Sequence, residues 1–237
     1  INLSYSKIMK QLNTNQKNIL RTFLHATSKE CDEGMKWYSN AHDIACRISS
    51  KANNMELGKV TGTISALSPN NEWSKNCLDA ERMVIGKDSG LTDKQLKEFK
   101  YSTYHDNRDK ALKILDLKTP YNHKTVKKIL SGPKVKEFYN CINSLYEDVN
   151  YLYKDIKFKR NLRSDITVDG HCFSIWLGHY VPTTKTSSKI RGKKLRDQIK
   201  RDYILVTKYI NEELETTYKP SDIQAITWVT HKRLNNV

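Results

Sequence analysis

The stretch "ILSGPKVKEFYNCI", residues 129–142, contains a Ser-Gly-Pro-Lys turn between two apolar patterns of helical period. Leu130 ends the first pattern, and Val135 and Phe138 belong to the second. We therefore expect a helix, a glycine-containing hairpin and a second helix. Backbone N–H groups at the start of the second helix can hold a DNA phosphate. An ordinary connection between two helices would use the same residues, so the turn alone leaves both interpretations open.

The rest of the chain repeats its apolar residues mostly at helical spacing. One helical face, for example, would carry Trp37, Ala41, Ile44, Ala45 and Ile48. Strand-like alternation is almost absent, and similar helical patterns cover 8–25, 55–67, 108–115 and 195–214. The sequence predicts an all-α protein with about ten to twelve short helices.

Helix start and stop signals agree with this interpretation. Thr92 with Gln95, and Ser221 with Gln224, have the spacing of capping boxes. Expected stops are Gly86, Gly90, Pro120, the turn at 131–133 and Gly178.

The charge of the chain indicates a polyanionic partner. The 237 residues include 41 Lys and Arg against 26 Asp and Glu, which gives a formal net charge of +15. Nucleic acid is the most common partner of such a chain, and this balance is unusual for an enzyme of small molecules. Basic residues concentrate in 154–163 and 185–201, and "VPTTKTSSKIRGKK", 181–194, lacks apolar rhythm. We expect a mobile basic loop there and phosphate contacts along both stretches.

The five cysteines are scattered without a C-x-x-C pair. We expect free, buried thiols in a reducing compartment such as the cytoplasm. No apolar run suits a membrane span, and no export signal is visible. No metal site is expected, because His171 has no Cys or Glu partner at the spacing of a zinc site.

A second informative stretch is "SDITVDGHCFSIWLG", residues 164–178. Asp169 follows the β-branched pair Thr167-Val168 and precedes Gly170 at the start of an apolar helical pattern. At a helix N-terminus the helix dipole would keep its carboxylate ionised. Asp169 therefore suits a simple N-cap, a catalytic carboxylate, or both.

Four segments resemble, in the same order, the helix-hairpin-helix DNA glycosylase superfamily, which includes endonuclease III. They are "GTISALSPNNEWSKNCLDAERM" (62–83), "STYHDNRDKALKIL" (102–115), the hairpin at 130–142 and "ITVDGHCFSIW" (166–176); "YKPSDIQAITWVTHKR" (218–233) is a weaker fifth match. The chain departs from the family in having one hairpin glycine, Gly132, where the family has two. It also lacks the four-cysteine pattern of members with an iron–sulfur cluster.

The resemblance implies a single two-lobed unit over 1–237. One lobe would span 55–145 and include the hairpin at 130–136, and the other would combine the N-terminal helices of 1–50 with 165–237. It implies a DNA glycosylase that flips a damaged or modified base out of DNA and hydrolyses its N-glycosidic bond. A carboxylate near the anomeric carbon can stabilise the positive charge of that reaction, and the resemblance assigns this role to Asp169.

The hairpin lysines have two possible roles by this resemblance. Members with lyase activity carry a catalytic lysine there, which matches Lys134 when the hairpin is shortened and Lys136 without a gap. We prefer Lys134, because Gly-Pro-Lys reproduces the turn, and keep Lys136 as the alternative. Either lysine can instead be a phosphate contact. The expected DNA contacts are Ser131, Gly132, Lys134, Lys136, Lys185, Lys189, Arg191, Lys193 and Lys194.

The resemblance also predicts a base pocket and the partners. The pocket residues would be Ser68, Asn70, Asn71, Trp73, Tyr104 and His171, although the first four also suit an ordinary helix start and core packing. By this resemblance we expect a monomer without membrane contact, in the cytoplasm of a bacterial or phage-infected bacterial cell, that acts on double-stranded DNA with a modified or damaged base. No cofactor is expected, and a monovalent cation at the hairpin is left open.

Two alternative functions remain at this point. "SALSP" and "TVDGH" are similar to a phage-encoded branch of the superfamily, the glutamyl/putrescinyl-thymine pyrophosphorylase-like proteins. That likeness favours a modified base, or an enzyme that acts on the 5-substituent of thymine and leaves the glycosidic bond intact. The other alternative is a DNA-binding module without catalytic activity.

Overall fold

The computed structural model describes residues 9–157 and 160–237. Across these ranges the regular structure is helical and contains no strand, which confirms the all-α prediction. Residues 1–8, in the expected N-terminal lobe, and 158–159, in the first basic stretch, lie outside the described ranges. No helix in the described part of the chain has the length and apolar character to cross a bilayer.

Twelve α-helices lie wholly within the described residues. They are α1 (Thr14–Leu24), α2 (Ser28–Lys51), α3 (Leu57–Leu67), α4 (Trp73–Asp88), α5 (Asp93–Glu98), α6 (His105–Leu115), α7 (His123–Ile129), α8 (Pro133–Ile142), α9 (Gly170–Leu177), α10 (Thr183–Thr186), α11 (Lys193–Leu214) and α12 (Pro220–Asn235). Short 3₁₀ segments span Glu147–Tyr153, Arg160–Leu162 and Lys189–Arg191.

The chain divides into two compact units. The inserted unit is continuous and spans Ser39–Asn143. The terminal unit combines the N-terminal part up to Tyr38 with Ser144–Val237. The hairpin therefore belongs to the inserted unit and Asp169 to the terminal unit.

Helix α3 is the central element of the inserted unit, where α4, α6, α7 and α8 all pack against it. Its residues from Val60 to Leu67 are buried. At Gly62 an added Cβ would lie 2.8 Å from a methyl group of Val126 and 3.0 Å from one of Ile114. Glycine at this position thus lets α6 and α7 approach α3 closely.

In the terminal unit, α9, α11 and α12 pack around α1. The buried core of this unit includes Ile19, Val168, Cys172, Tyr203 and Ile226. All five cysteines of the chain are free, as predicted, with Cys141 and Cys172 buried and the other three partly exposed. The cysteines therefore contribute apolar packing without covalent cross-links.

The local signals were right in part. Thr92 and Gln95 form the expected capping box of α5, and Gly90 and Gly178 follow α4 and α9 with φ of +85° and +83°. The Ser221–Gln224 box is wrong, because both residues lie inside α12 and Asp222 Oδ2 accepts from the Lys219 N–H at 2.7 Å.

Two other expectations about local structure were also wrong. Gly86 does not end a helix, because it is buried within α4 where Leu91 and Leu96 pack against it. The expected loop at 181–194 contains α10 and the Lys189–Arg191 turn. Ile190 is buried in the core of the terminal unit, which anchors that segment.

Candidate functional site: Asp169 and the ring cluster

Asp169 is the N-cap of α9 and is partly exposed. Its Oδ1 accepts a hydrogen bond from the Cys172 N–H at 2.8 Å. Among the described residues, no hydrogen-bond donor reaches Oδ2. One carboxylate oxygen therefore fixes the side chain at the helix N-terminus, and the other is available to a ligand.

The residues before Asp169, Ser164–Val168, form a buried segment outside regular secondary structure, which we call the platform. Buried backbone groups outside regular structure need other hydrogen-bond partners. The Tyr153 hydroxyl donates to Ser164 O at 2.9 Å and accepts from the Ser164 N–H at 3.1 Å. The Ser221 N–H donates to Ser164 Oγ at 2.9 Å. The start of the platform is thus held by residues from two other elements.

The centre of the platform carries a buried ion pair. Lys200 Nζ lies 2.7 Å from Asp165 Oδ1, and the two side chains are only 7% and 1% exposed. Asp165 Oδ1 also accepts from the Ile166 N–H at 2.7 Å. This pair fixes the platform to the middle of α11, because breaking it would leave a charge buried without its partner.

The end of the platform, next to Asp169, is held by Arg196 and Tyr38. Arg196 donates to Val168 O at 2.7 Å and to Ile190 O at 2.8 Å, and its side chain is buried. The Tyr38 hydroxyl lies 2.9 Å from Thr167 Oγ1 and 2.7 Å from Gln224 Oε1. These contacts fix the backbone immediately before the carboxylate, which is how a preorganised site is built.

Five aromatic and imidazole rings form a contiguous set beside α9, which we call the ring cluster. Its members, in order of contact, are Trp37, Trp228, His171, His231 and Tyr180. His171, two residues after Asp169, meets Trp228 edge-on at a centroid distance of 6.0 Å and His231 at 5.8 Å. Lys232 Nζ lies 4.5 Å from the Trp228 ring centre. Partly exposed ring faces therefore stand close in sequence and space to the carboxylate.

His231 is only 5% exposed and has an unusual hydrogen-bond state. Asn235 Nδ2 lies 3.1 Å from His231 Nδ1, whereas Nε2 is buried without a partner among the described residues. Burial and neighbouring His171 lower the pKa of His231, and Asp169 partly opposes that effect. An unsatisfied buried donor costs about 1–3 kcal/mol, so this nitrogen needs a physical explanation.

The hairpin has the predicted form in the inserted unit. Gly132 stands before α8 with φ +83° and ψ 147°, and Pro133 is the first residue of the helix. No described side chain caps the N-terminus of α8. Lys134 is exposed, Lys136 is partly buried, and Lys110 Nζ donates to Ser131 Oγ. Free N–H groups and lysines are thus presented together, as a phosphate contact requires.

The two basic stretches differ in exposure along their length. The expected DNA contacts Lys185, Lys189, Arg191, Lys193 and Lys194 are exposed, and Lys193 also pairs with Asp197. Arg196 and Lys200 are buried, so these two side chains do not belong to a basic surface. Intramolecular contacts join Arg163 with Asn150, Arg196 with Val168 and Ile190, Lys200 with Asp165, and Arg201 with Leu152. Phosphate contact along the stretches stays a prediction.

The predicted base-pocket residues are divided between the units. The terminal unit contains His171. The inserted unit contains the other five, Ser68, Asn70, Asn71, Trp73 and Tyr104. Ser68 Oγ donates to Ser65 O at 2.8 Å, and Asn71 Nδ2 donates to Leu67 O at 3.2 Å, which are helix-end contacts. Asn71 Oδ1 is buried without a hydrogen-bond partner among the described residues. Asn70 is exposed, Tyr104 is 65% exposed, and Trp73 packs edge-on against Phe138. A base-binding role for this turn stays a prediction.

A groove of about 360 Å³ in the inserted unit holds no obvious nucleophile. It is lined by Ile44, Arg47, Ile48, Lys51, Ser74, Cys77, Leu78 and Glu81. Burial raises the pKa of Cys77 to about 11, so its thiol stays protonated at neutral pH and is a poor nucleophile. Nowhere in the described ranges do three or more His, Cys, Asp or Glu side chains converge as a metal site would need.

A family model matches residues 4–235, nearly the full chain. The chain belongs to DUF7178, a family of unknown function. Comparison with curated proteins and with solved structures returned no match.

Several residues of the site were missed from the sequence. Arg196 and Lys200 were counted as basic surface, yet their i,i+4 spacing among the apolar residues of α11 marks a buried face. Trp228 and His231, at i,i+3 spacing, share one face of α12. That periodicity was the available signal in this DUF7178 chain.

Proposed function

We propose that the protein is a DNA glycosylase that excises a modified or damaged base, with Asp169 as its essential carboxylate. The observation that carries the proposal is the state of Asp169, with one oxygen held by the helix N-terminus and the other without a donor among the described residues. A fixed carboxylate can stabilise the positive charge that develops on deoxyribose as an N-glycosidic bond breaks. The platform supplies the rigidity that such stabilisation needs.

DNA as the substrate is supported by charge and by the hairpin. The chain carries a formal net charge of +15, and the described N-terminus of α8 is uncapped beside exposed Lys134. Ser131, Gly132 and Lys136 complete the proposed phosphate contact. Lys134, with Lys136 as the alternative, would be the nucleophile if the enzyme also cleaves the strand. The substrate base would be flipped out of a duplex to reach Asp169.

The test uses genomic DNAs and duplexes that carry different modified bases, with released bases measured by mass spectrometry. We expect the wild type to release at least one base. Asp169→Asn should slow that release by about a hundredfold or more, because it removes a group that stabilises transition-state charge. Asparagine can still cap α9, so folding and DNA binding should persist. Asp155→Asn removes the same charge from an exposed side chain in the same unit and should leave the rate unchanged.

Three results would contradict the proposal in different ways. Turnover by Asp169→Asn at the wild-type rate would remove Asp169 from the mechanism. A changed 5-substituent with an intact glycosidic bond would favour the thymine-modifying alternative. DNA binding without any chemical change on every substrate would leave the non-catalytic DNA-binding module.

A further inference from the structure

The chemical state of His231 is defined by its neighbours. Asn235 Nδ2 donates to the backbone carbonyl of His231 at 2.9 Å, and a carbonyl can only accept, so the amide orientation is fixed. The same Nδ2 faces His231 Nδ1 at 3.1 Å, which makes Nδ1 the acceptor. In neutral imidazole the proton then sits on Nε2. His231 thus presents a buried N–H that no described residue accepts.

This donor shares its surroundings with Asp169. His171 follows Asp169 by two residues and packs against the His231 ring at 5.8 Å. The Asp169 carboxylate is close enough to raise the pKa of His231 against the effect of burial. Helices α9 and α12, which carry the two groups, pack against each other. The Asp169 carboxylate and the His231 imidazole therefore lie within electrostatic range of each other, on two helices that pack together.

The rings around the donor suit a planar ligand. Trp228 and His171 are partly exposed, and Tyr180 is 41% exposed. Aromatic side chains of this kind stack nucleobases whatever their identity, because every base has a π face. A neutral imidazole N–H adds a single directional requirement, since it can pair only with an acceptor.

We propose that the ring cluster is the base-binding surface of the Asp169 site, and that its rings move apart when a base binds, so that the buried His231 Nε2 donates a hydrogen bond to a carbonyl oxygen or ring nitrogen of that base. The inference rests on the proposed function, because the ligand is the base whose bond would be broken. It assigns base recognition to α12 in the terminal unit. A site that donates a buried hydrogen bond discriminates against analogues that lack the acceptor.

The experiment measures binding without chemistry. Labelled duplexes carry one 2′-fluoro nucleotide, which resists glycosidic cleavage, opposite an abasic analogue so that its base has no pairing partner. The base is thymine or its apolar isostere 2,4-difluorotoluene in one pair of probes, and adenine or 4-methylbenzimidazole in the other. Fluorescence anisotropy gives the affinity of the full chain for each duplex.

We expect the wild type to bind at least one natural base about tenfold more tightly than its apolar isostere, the ratio that one hydrogen bond provides. His231→Leu should lose this preference while it binds the isostere within about twofold of wild type. His231→Gln should keep much of the preference for the natural base, since the glutamine amide N–H₂ can replace the Nε2 donor. Without DNA, His231→Leu should melt no lower than wild type, because it removes an unsatisfied buried donor.

Equal affinity of the wild type for both members of both pairs would overturn the assignment. A preference for the natural base that survives His231→Leu would also overturn it. A lower melting temperature of His231→Leu without DNA would indicate that His231 has a purely structural role, and would overturn it too. Failure of the proposed function looks different. In that case no base is released from natural DNA, yet the discrimination between base and isostere in these duplexes can still hold.

Discussion

The Asp169 platform and the hairpin at 129–136 are held in place by different kinds of interaction. The platform depends on residues distant in sequence, among them Tyr38, Arg196 and Ser221. The hairpin depends on its own turn, in which Gly132 has a positive φ and Pro133 begins the helix. The difference suits the two proposed roles, because a reacting carboxylate needs fixed geometry, whereas a phosphate contact needs exposed donors and charge.

The largest expected effect breaks the platform at its buried ion pair. Lys200→Met leaves the Asp165 carboxylate without its partner at 1% exposure and should lower the free energy of unfolding by about 3–5 kcal/mol. Urea denaturation followed by circular dichroism measures the change. Lys194→Met, an exposed change near the start of the same helix, should stay within about 0.5 kcal/mol. Equal stability of the two variants would show that the ion pair does not hold the platform.

The next effect tests whether the hairpin depends on one backbone conformation. Gly132 has φ +83° and ψ 147°, which side chains other than glycine rarely adopt, so Gly132→Ala should cost about 1–3 kcal/mol. Gly192 also precedes a helix but has φ −70°, and a Cβ added there would point into open space. Gly192→Ala should therefore be close to neutral in the same denaturation experiment. If Gly132→Ala leaves the free energy of unfolding unchanged, the hairpin must be able to adopt another turn.

A smaller effect separates the two roles of Asp169. Asp169→Ala removes the acceptor for the Cys172 N–H and should cost about 1 kcal/mol, the usual value of an N-cap. Asp169→Asn keeps an acceptor and should cost less. Thermal unfolding of both variants, beside their base-release rates, measures this difference. If Asn and Ala destabilise equally, the cap does not contribute as the geometry indicates.

The smallest effect on stability is expected at Lys134. Its side chain is exposed, so Lys134→Ala should change the free energy of unfolding by less than about 0.5 kcal/mol. DNA binding should weaken similarly on all sequences, and the slope of log affinity against log salt should fall by about one. The slope is obtained from affinities measured at roughly 50 to 300 mM salt, a range that brackets physiological ionic strength. An unchanged slope would place Lys134 away from the phosphates.

The same contrast explains what the sequence could predict. Helical periodicity and turn residues are local, so the all-α class, the α5 capping box and the hairpin follow from neighbouring residues. The segment before Asp169 could also be recognised as lying outside a helix, because the apolar helical pattern begins only after Asp169. Its partners could not, because nothing near residue 165 indicates that Lys200 will pair with it across 35 positions.

The mistaken capping box at Ser221 has a related cause. Ser221 and Gln224 have the right spacing, but their polar groups are used by Ser164 and Tyr38, which the chain brings to them from far away. The ring cluster was missed for the same reason. His171 was recognised beside Asp169, whereas Trp228 and His231 join it only after α12 packs on α9.

The terminal unit is built from two segments that the inserted unit separates in sequence, and this affects when its contacts can form during synthesis on the ribosome. The inserted unit emerges as one continuous segment and can fold while translation proceeds. Ser164 and Tyr38 find their α12 partners, Ser221 and Gln224, only after the residues up to 224 have been made. A nascent chain would thus carry its hairpin before Asp169 is fixed. Synthesis of α12 would therefore determine when Asp169 reaches its final geometry.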